Sequence, residues 1–124
     1  MSTNKTLLPD YLIKPLQVFM PLYSLFIFWA SLRPSLGEQV IPHLDKLMHF
    51  GVYGLLALGF NFAWPNFSKI KIWIGCLVFG GIIEIAQGTL THNRTPSFLD
   101  FVSNGLGAAI ALLFALLISH KFAR

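Results

Sequence analysis

The chain has 124 residues, room for one domain, and is 55% hydrophobic but only 11% charged, where soluble domains carry roughly 25% charged residues. A mean hydropathy of +0.66 and twelve Phe exclude a soluble fold of this size, whose small core has no room for so much apolar surface. The net charge of +4 comes from Lys and Arg dispersed at the ends of apolar runs, a pattern of membrane topology that excludes a nucleic-acid surface.

In chain order, residues 1–14 are mixed in character and carry Lys5, Asp10 and Lys14. Residues 15–32 hold no charge, which predicts a first membrane span of minimum length, with Pro15 at its first helical position. Pro21 inside it is expected to kink or loosen the helix. Its far end, Trp29-Ala30-Ser31-Leu32, lacks a clean small-x-small cleavage site, so the segment reads as a retained span rather than a signal peptide. A loop with Pro34, Gly37 and Pro42 follows. Further spans are expected over 47–64, ending at the turn signal Trp64-Pro65-Asn66, over 70–90 and over 98–119. The lone Cys76 lies within the third, where it reads as a small buried hydrophobe. The expected fold is therefore all-α, a compact bundle of four transmembrane helices forming one domain over 1–124.

Four spans place both termini on one side. Lys5, Lys14, Lys69, Lys71, Lys121 and Arg124 fall there, against Arg33, Lys46 and Arg94 opposite. The excess of basic residues predicts cytoplasmic termini, with Trp64 and Trp73 at the inner interface and Trp29 at the outer one.

That orientation gathers the unusual polar residues at the outer ends of three spans. Asp45, Lys46 and His49 open the second, and Asp45 and His49 share a helical face at i and i+4. Glu84 and Gln87 lie one turn apart near the end of the third, and Asp100 and Asn104 one turn apart at the start of the fourth. Counted from Lys71 at about 1.5 Å per residue, Glu84 lies roughly 20 Å up a hydrocarbon core about 30 Å thick. Left alone in lipid each such group costs several kcal/mol, so one inward cluster satisfying them together is expected. Asn104, Gly107, Ala108 and Ala111 describe a polar-then-small face on the fourth helix, suited to close helix contact.

The succession Asp45-Lys46-x-x-His49-Phe50, Glu84-x-x-Gln87, Arg94 and Asp100-x-x-x-Asn104-x-x-Gly107 resembles the VanZ-like family of small bacterial integral membrane proteins. The resemblance runs over roughly residues 31–113. It implies a four-helix, multi-pass protein of the bacterial cytoplasmic membrane, in a family whose founding member lowers susceptibility to the glycopeptide teicoplanin. It implies no particular reaction. An additional acid that the family often carries between the positions of Arg94 and Asp100 is absent here, where the chain reads Thr95-Pro96-Ser97-Phe98-Leu99.

Structural roles account for part of the set. Asp45 suits a helix N-terminus, Lys46 can extend to head groups, and Gln87 and Asn104 suit interhelical hydrogen bonds. His49 and the deep acid Glu84 are explained least well in this way. The leading expectation is a non-enzymatic envelope protein whose outer-leaflet cluster binds a membrane lipid or lipid-linked envelope precursor. Its ligand-binding set is Arg33, Lys46, His49, Glu84, Gln87, Arg94, Asp100 and Asn104, with the cationic members holding an anionic head group. The alternative is an intramembrane enzyme acting on a lipid head group, with His49 as acid or base and Glu84 or Asp45 orienting it. A proton-coupled transporter ranks third, because the inner half offers little polarity beyond Asn61. His49, Glu84 and Asp100 are chemically able to hold a metal ion, but no H-E-x-x-H or paired-Cys spacing occurs, so neither metal nor cofactor is expected.

Overall fold

Four α-helices and no strand make up the residues that the computed structural model describes, which are 6–33, 43–91 and 96–122. The helices are α1 (Asp10–Ser31), α2 (Leu44–Ala63), α3 (Lys69–Leu90) and α4 (Phe98–Phe122). Helices α1, α3 and α4 are long and apolar enough to cross a membrane, whereas α2 is not counted among them. Its first two turns hold Asp45, Lys46 and His49, which dilute an otherwise apolar helix.

Helix α1 begins ahead of the apolar run expected from residue 15. Extended Pro9 precedes it and Asp10 supplies the acid of its first turn, so both Pro15 and Pro21 lie inside the helix. Each proline removes one backbone donor, and the helix continues through both. Helix α2 starts after His43, whose left-handed backbone (φ 61°) turns the chain into the helix without a side-chain cap. Asp45 in the first turn offers its charge to the exposed N–H groups instead. Ser68 caps α3 by accepting from the Lys71 N–H at 3.3 Å.

Helix α2 occupies the centre and packs on each of the other three, most extensively on α4, whereas α1 and α3 scarcely meet. Small residues make the α2–α4 contact close. A Cβ on Gly107 would collide with the backbone carbonyl of Phe50, and one on Gly54 would lie 3.3 Å from the Gly107 carbonyl oxygen. Ala57 and Ala108 are completely buried in the same contact region. With no hydrophobic drive between helices in lipid, this close backbone approach is what dispersion and shape can supply.

The outside carries the large apolar side chains. Val18, Leu22, Leu25 and Phe26 of α1 and Ile110, Leu113, Phe114 and Leu117 of α4 are exposed. So broad an apolar exterior suits a hydrocarbon solvent and is far larger than the patches soluble monomers leave open.

A polar cluster at the helix ends

Successive helices run up and down, so the C-terminal ends of α1 and α3 meet the N-terminal ends of α2 and α4. The first junction is the start of α4. Ser97 accepts a hydrogen bond from the Asp100 N–H at 3.3 Å, the usual role of an N-cap hydroxyl. The Ser97 N–H in turn donates to the Glu84 carboxylate on α3 at 2.8 Å. A capping box normally makes that second bond with the acid three residues into the same helix, here Asp100. Because Glu84 takes the role from another helix, Asp100 is released toward α2.

There Asp100 meets Lys46 and His49. Its Oδ1 lies 3.7 Å from Lys46 Nζ and its Oδ2 lies 3.6 Å from His49 Nε2. Lys46 also donates to Asp45 at 3.2 Å. Asp45 stands ahead of the apolar run; partial burial pushes its carboxyl up, and the hydrogen bond and charge of Lys46 more than offset this, holding it below the ordinary carboxylate range.

The other face of the His49 ring is fixed. Its Nδ1 lies 2.9 Å from Asn104 Oδ1, so with that oxygen as acceptor Nδ1 carries a hydrogen and Nε2 faces Asp100. Asn104 is 2% exposed, at the top of the small-residue face by which α4 packs on α2. Gly80 of α3 makes room for it, since a Cβ there would come within 3.0 Å of Asn104 Nδ2.

The residues singled out in the sequence therefore divide. Lys46, His49, Asp100, Asn104 and Asp45 form a continuous α2–α4 group. Glu84 is tied to the start of α4 and makes no hydrogen bond to His49; neither does Asp45, the other residue expected to orient that ring. Gln87 donates to the Ser31 carbonyl of α1 at 2.8 Å, joining α3 to the end of α1. Arg33 is exposed and turns back over the Trp29 ring, 4.6 Å from its centroid, rather than into the cluster. Arg94 lies outside the described residues.

Among the described residues, two buried carboxylate oxygens, Glu84 Oε1 and Asp100 Oδ1, accept no hydrogen bond, and the second has the Lys46 ammonium 3.7 Å away. Among the described residues the group thus holds three carboxylates, those of Asp45, Glu84 and Asp100, beside the single ammonium of Lys46. Chemically it is a hydrogen-bond-accepting site with a positioned imidazole, more than a cationic cradle.

Other polar contacts escaped the sequence reading. Trp73 donates its indole N–H to the Gly105 carbonyl of α4 at 2.9 Å, and Trp64 packs against the core. Gln17 donates to the Ala63 carbonyl at 2.8 Å and Tyr23 to the Val52 carbonyl at 3.1 Å, both fastening α1 to α2. None of these three contacts has a signal in the sequence, whereas Ser97-x-x-Asp100 has a capping-box spacing.

A family model described as VanZ/LLP1 matches residues 2–119, nearly the whole chain. No curated protein and no solved structure matches it.

Proposed function

The chain belongs to the VanZ/LLP1 family, and from that membership and its polar helix ends we propose a non-enzymatic, multi-pass protein of the bacterial cell envelope. In this reading all four helices cross the cytoplasmic membrane, both termini are cytoplasmic, and the α2–α4 polar group lies toward the outer leaflet. There it binds a lipid or lipid-linked envelope precursor and alters access to it, which is the route by which it would change susceptibility to teicoplanin-type glycopeptides.

The observation that carries the reading is the pair of buried carboxylate oxygens on Glu84 and Asp100 that accept no hydrogen bond from the described residues, next to a His49 already held by Asn104. Buried acceptors without donors are rare and costly. A ligand presenting hydroxyl, amide or amine hydrogens satisfies them, entering past the partly exposed Asp45 and Lys46. This modifies the expectation of an anionic head group gripped by the cations, since Lys46 is shared between two carboxylates and Arg33 lies on Trp29.

The test compares wild type with Asp100→Asn and His49→Ala at matched membrane expression. Wild-type chain is expected to co-purify with a head-group-bearing lipid and to raise the teicoplanin concentration needed to stop growth; both variants lose both effects. Variants indistinguishable from wild type in both readouts would refute the proposal.

A second reading, chemistry on a lipid head group with His49 as acid or base, draws support from the approach of Nε2 to Asp100 at 3.6 Å. Turnover of head-group-labelled lipid by wild type and not by His49→Ala would favour it over binding alone.

A further inference from the structure

An apolar cavity lies away from the polar cluster, toward the opposite end of the bundle. It is a cleft of about 520 Å³ bounded by α1, α2 and α3, with Leu56, Phe60, Trp64, Ile72 and Phe79 among its walls and Lys71 at its rim. It exists because α1 and α3 each pack on α2 but scarcely touch one another. We propose that this cleft holds one acyl chain of an anionic phospholipid, with the Lys71 ammonium paired to the lipid phosphate. The inference rests on the chain lying in a bilayer and is independent of what the polar cluster binds.

The walls define the chemistry. The one hydroxyl lining the cleft, on Ser24, is already donated to the Met20 carbonyl at 2.9 Å, so that group calls for no polar ligand. Cys76 lies on the floor as a small, soft side chain. Gly75 leaves a gap, because a Cβ there would meet nothing within 4 Å. A dry apolar cleft in a bilayer is filled by what the solvent offers, and that solvent is acyl chain.

From Lys71 to Phe79 the cleft runs along about 12 Å of α3 at the ordinary helical rise, a length that part of a single hydrocarbon chain spans. Charge then selects the head group. Lys71 is exposed beside the rim and Lys69 stands two residues away at the same helix end, so the phosphate of an anionic lipid finds a cation where the chain emerges, and a long Lys side chain is suited to reach it.

The experiment uses purified full-length chain in detergent, titrated separately with dioleoyl phosphatidylglycerol and dioleoyl phosphatidylcholine and followed by native mass spectrometry. A parallel measurement follows the rate at which N-ethylmaleimide labels Cys76, the only thiol in the chain. Wild type is expected to retain one phosphatidylglycerol several-fold better than phosphatidylcholine, and that lipid is expected to slow Cys76 labelling. Lys71→Gln removes the preference between the two lipids, and Gly75→Leu, which fills the gap, abolishes the retained lipid. Equal retention of both lipids by wild type, unchanged Cys76 labelling, or full retention by Gly75→Leu would each overturn the proposal, as would a dimer that protects Cys76 without lipid. Should Gly75→Leu fail to fold, the exposed Lys71→Gln variant and the wild-type labelling rate still decide the matter. Cys76 labelling and the effects of Lys71→Gln and Gly75→Leu report on the cleft alone, so failure here is distinguishable from failure of the polar-cluster reading, which is tested at Asp100 and His49.

Discussion

Glu84 on α3 holds the backbone N–H of Ser97, the residue that caps α4, at 2.8 Å. The bond fixes where α4 begins relative to α3, and it leaves Asp100, the residue placed to do this job within α4, facing Lys46 and His49. One interhelical cap therefore positions half of the polar cluster.

This gives Glu84 a structural role that substitutions can measure. Glu84→Ala strands the Ser97 N–H and is expected to cost about 1–3 kcal/mol, the range for a buried group left unpaired. Glu84→Gln keeps a carbonyl oxygen at the same reach and is expected to retain most of the stability. Thermal unfolding in detergent, followed by tryptophan fluorescence, reads the difference. Equal melting of wild type and Glu84→Ala would show that the cap does not hold α4.

The His49–Asn104 bond makes a second, separable contribution. A double-mutant cycle of His49→Ala and Asn104→Ala is expected to give a favourable coupling of about 0.6 kcal/mol and no more than about 1.7, the span measured for side-chain hydrogen bonds between membrane helices. Zero coupling, with both single variants folded, would mean that the two side chains do not meet in the membrane.

Much of this arrangement was legible in the sequence, and the part that was not has a definite physical reason. Helix ends show in the chain because charge, Pro and capping residues mark them, so the gathering of polar residues at one end follows from antiparallel order alone. Partner choice does not show, because spacing within one helix says which residues share a face but not which neighbour that face meets. His49 is expected in one cluster with Glu84, Asp100 and Asn104, with Asp45 or Glu84 as the acid orienting its ring; Asn104 and Asp100 are the members it meets, and neither of those two acids bonds it. Trp73 has the position of an interfacial belt residue, yet a free lobe of the Gly105 carbonyl lies within its reach and the indole N–H turns inward. Arg33 could have been placed from sequence: Trp29 is four residues before it, one helical turn, and a guanidinium over an indole face is a favourable contact. The α1–α3 cleft was invisible, since it depends on two helices failing to meet.

Glycines provide a sharper test of the α2–α4 contact than any polar residue. Gly107→Ala drives a methyl into the Phe50 carbonyl, and because both groups are backbone or backbone-attached neither can swing aside. A loss of about 1–3 kcal/mol is expected, typical of overpacking. Gly51→Ala is the control: a Cβ there meets nothing within 4 Å, so the better helix propensity of Ala is expected to leave stability equal or raised by up to about 1 kcal/mol. Melting temperatures that rank the two variants in the opposite order would contradict the close approach of α2 and α4.

Whether α2 crosses the membrane sets the parity of the termini, which labelling tests. From Phe50 to the end of α2 at Ala63 the helix covers about 21 Å at the ordinary rise, against a hydrocarbon core about 30 Å thick. In the proposed four-span arrangement the turn holding Asp45, Lys46 and His49 lies toward the head groups, beside Asp100. Since α2 packs on all three of the other helices, a bundle with α2 outside the bilayer would have to come apart. Four crossings put both termini on one side, and three put them on opposite sides. A fluorescent-protein fusion is therefore expected to report a cytoplasmic location from either terminus. In intact cells, a membrane-impermeant maleimide is expected to label His43→Cys at the start of α2 and to reach Asn66→Cys, beyond its end, only after permeabilisation. Labelling of both positions from the same side would remove α2 from the membrane and with it the outer-leaflet placement of the polar cluster.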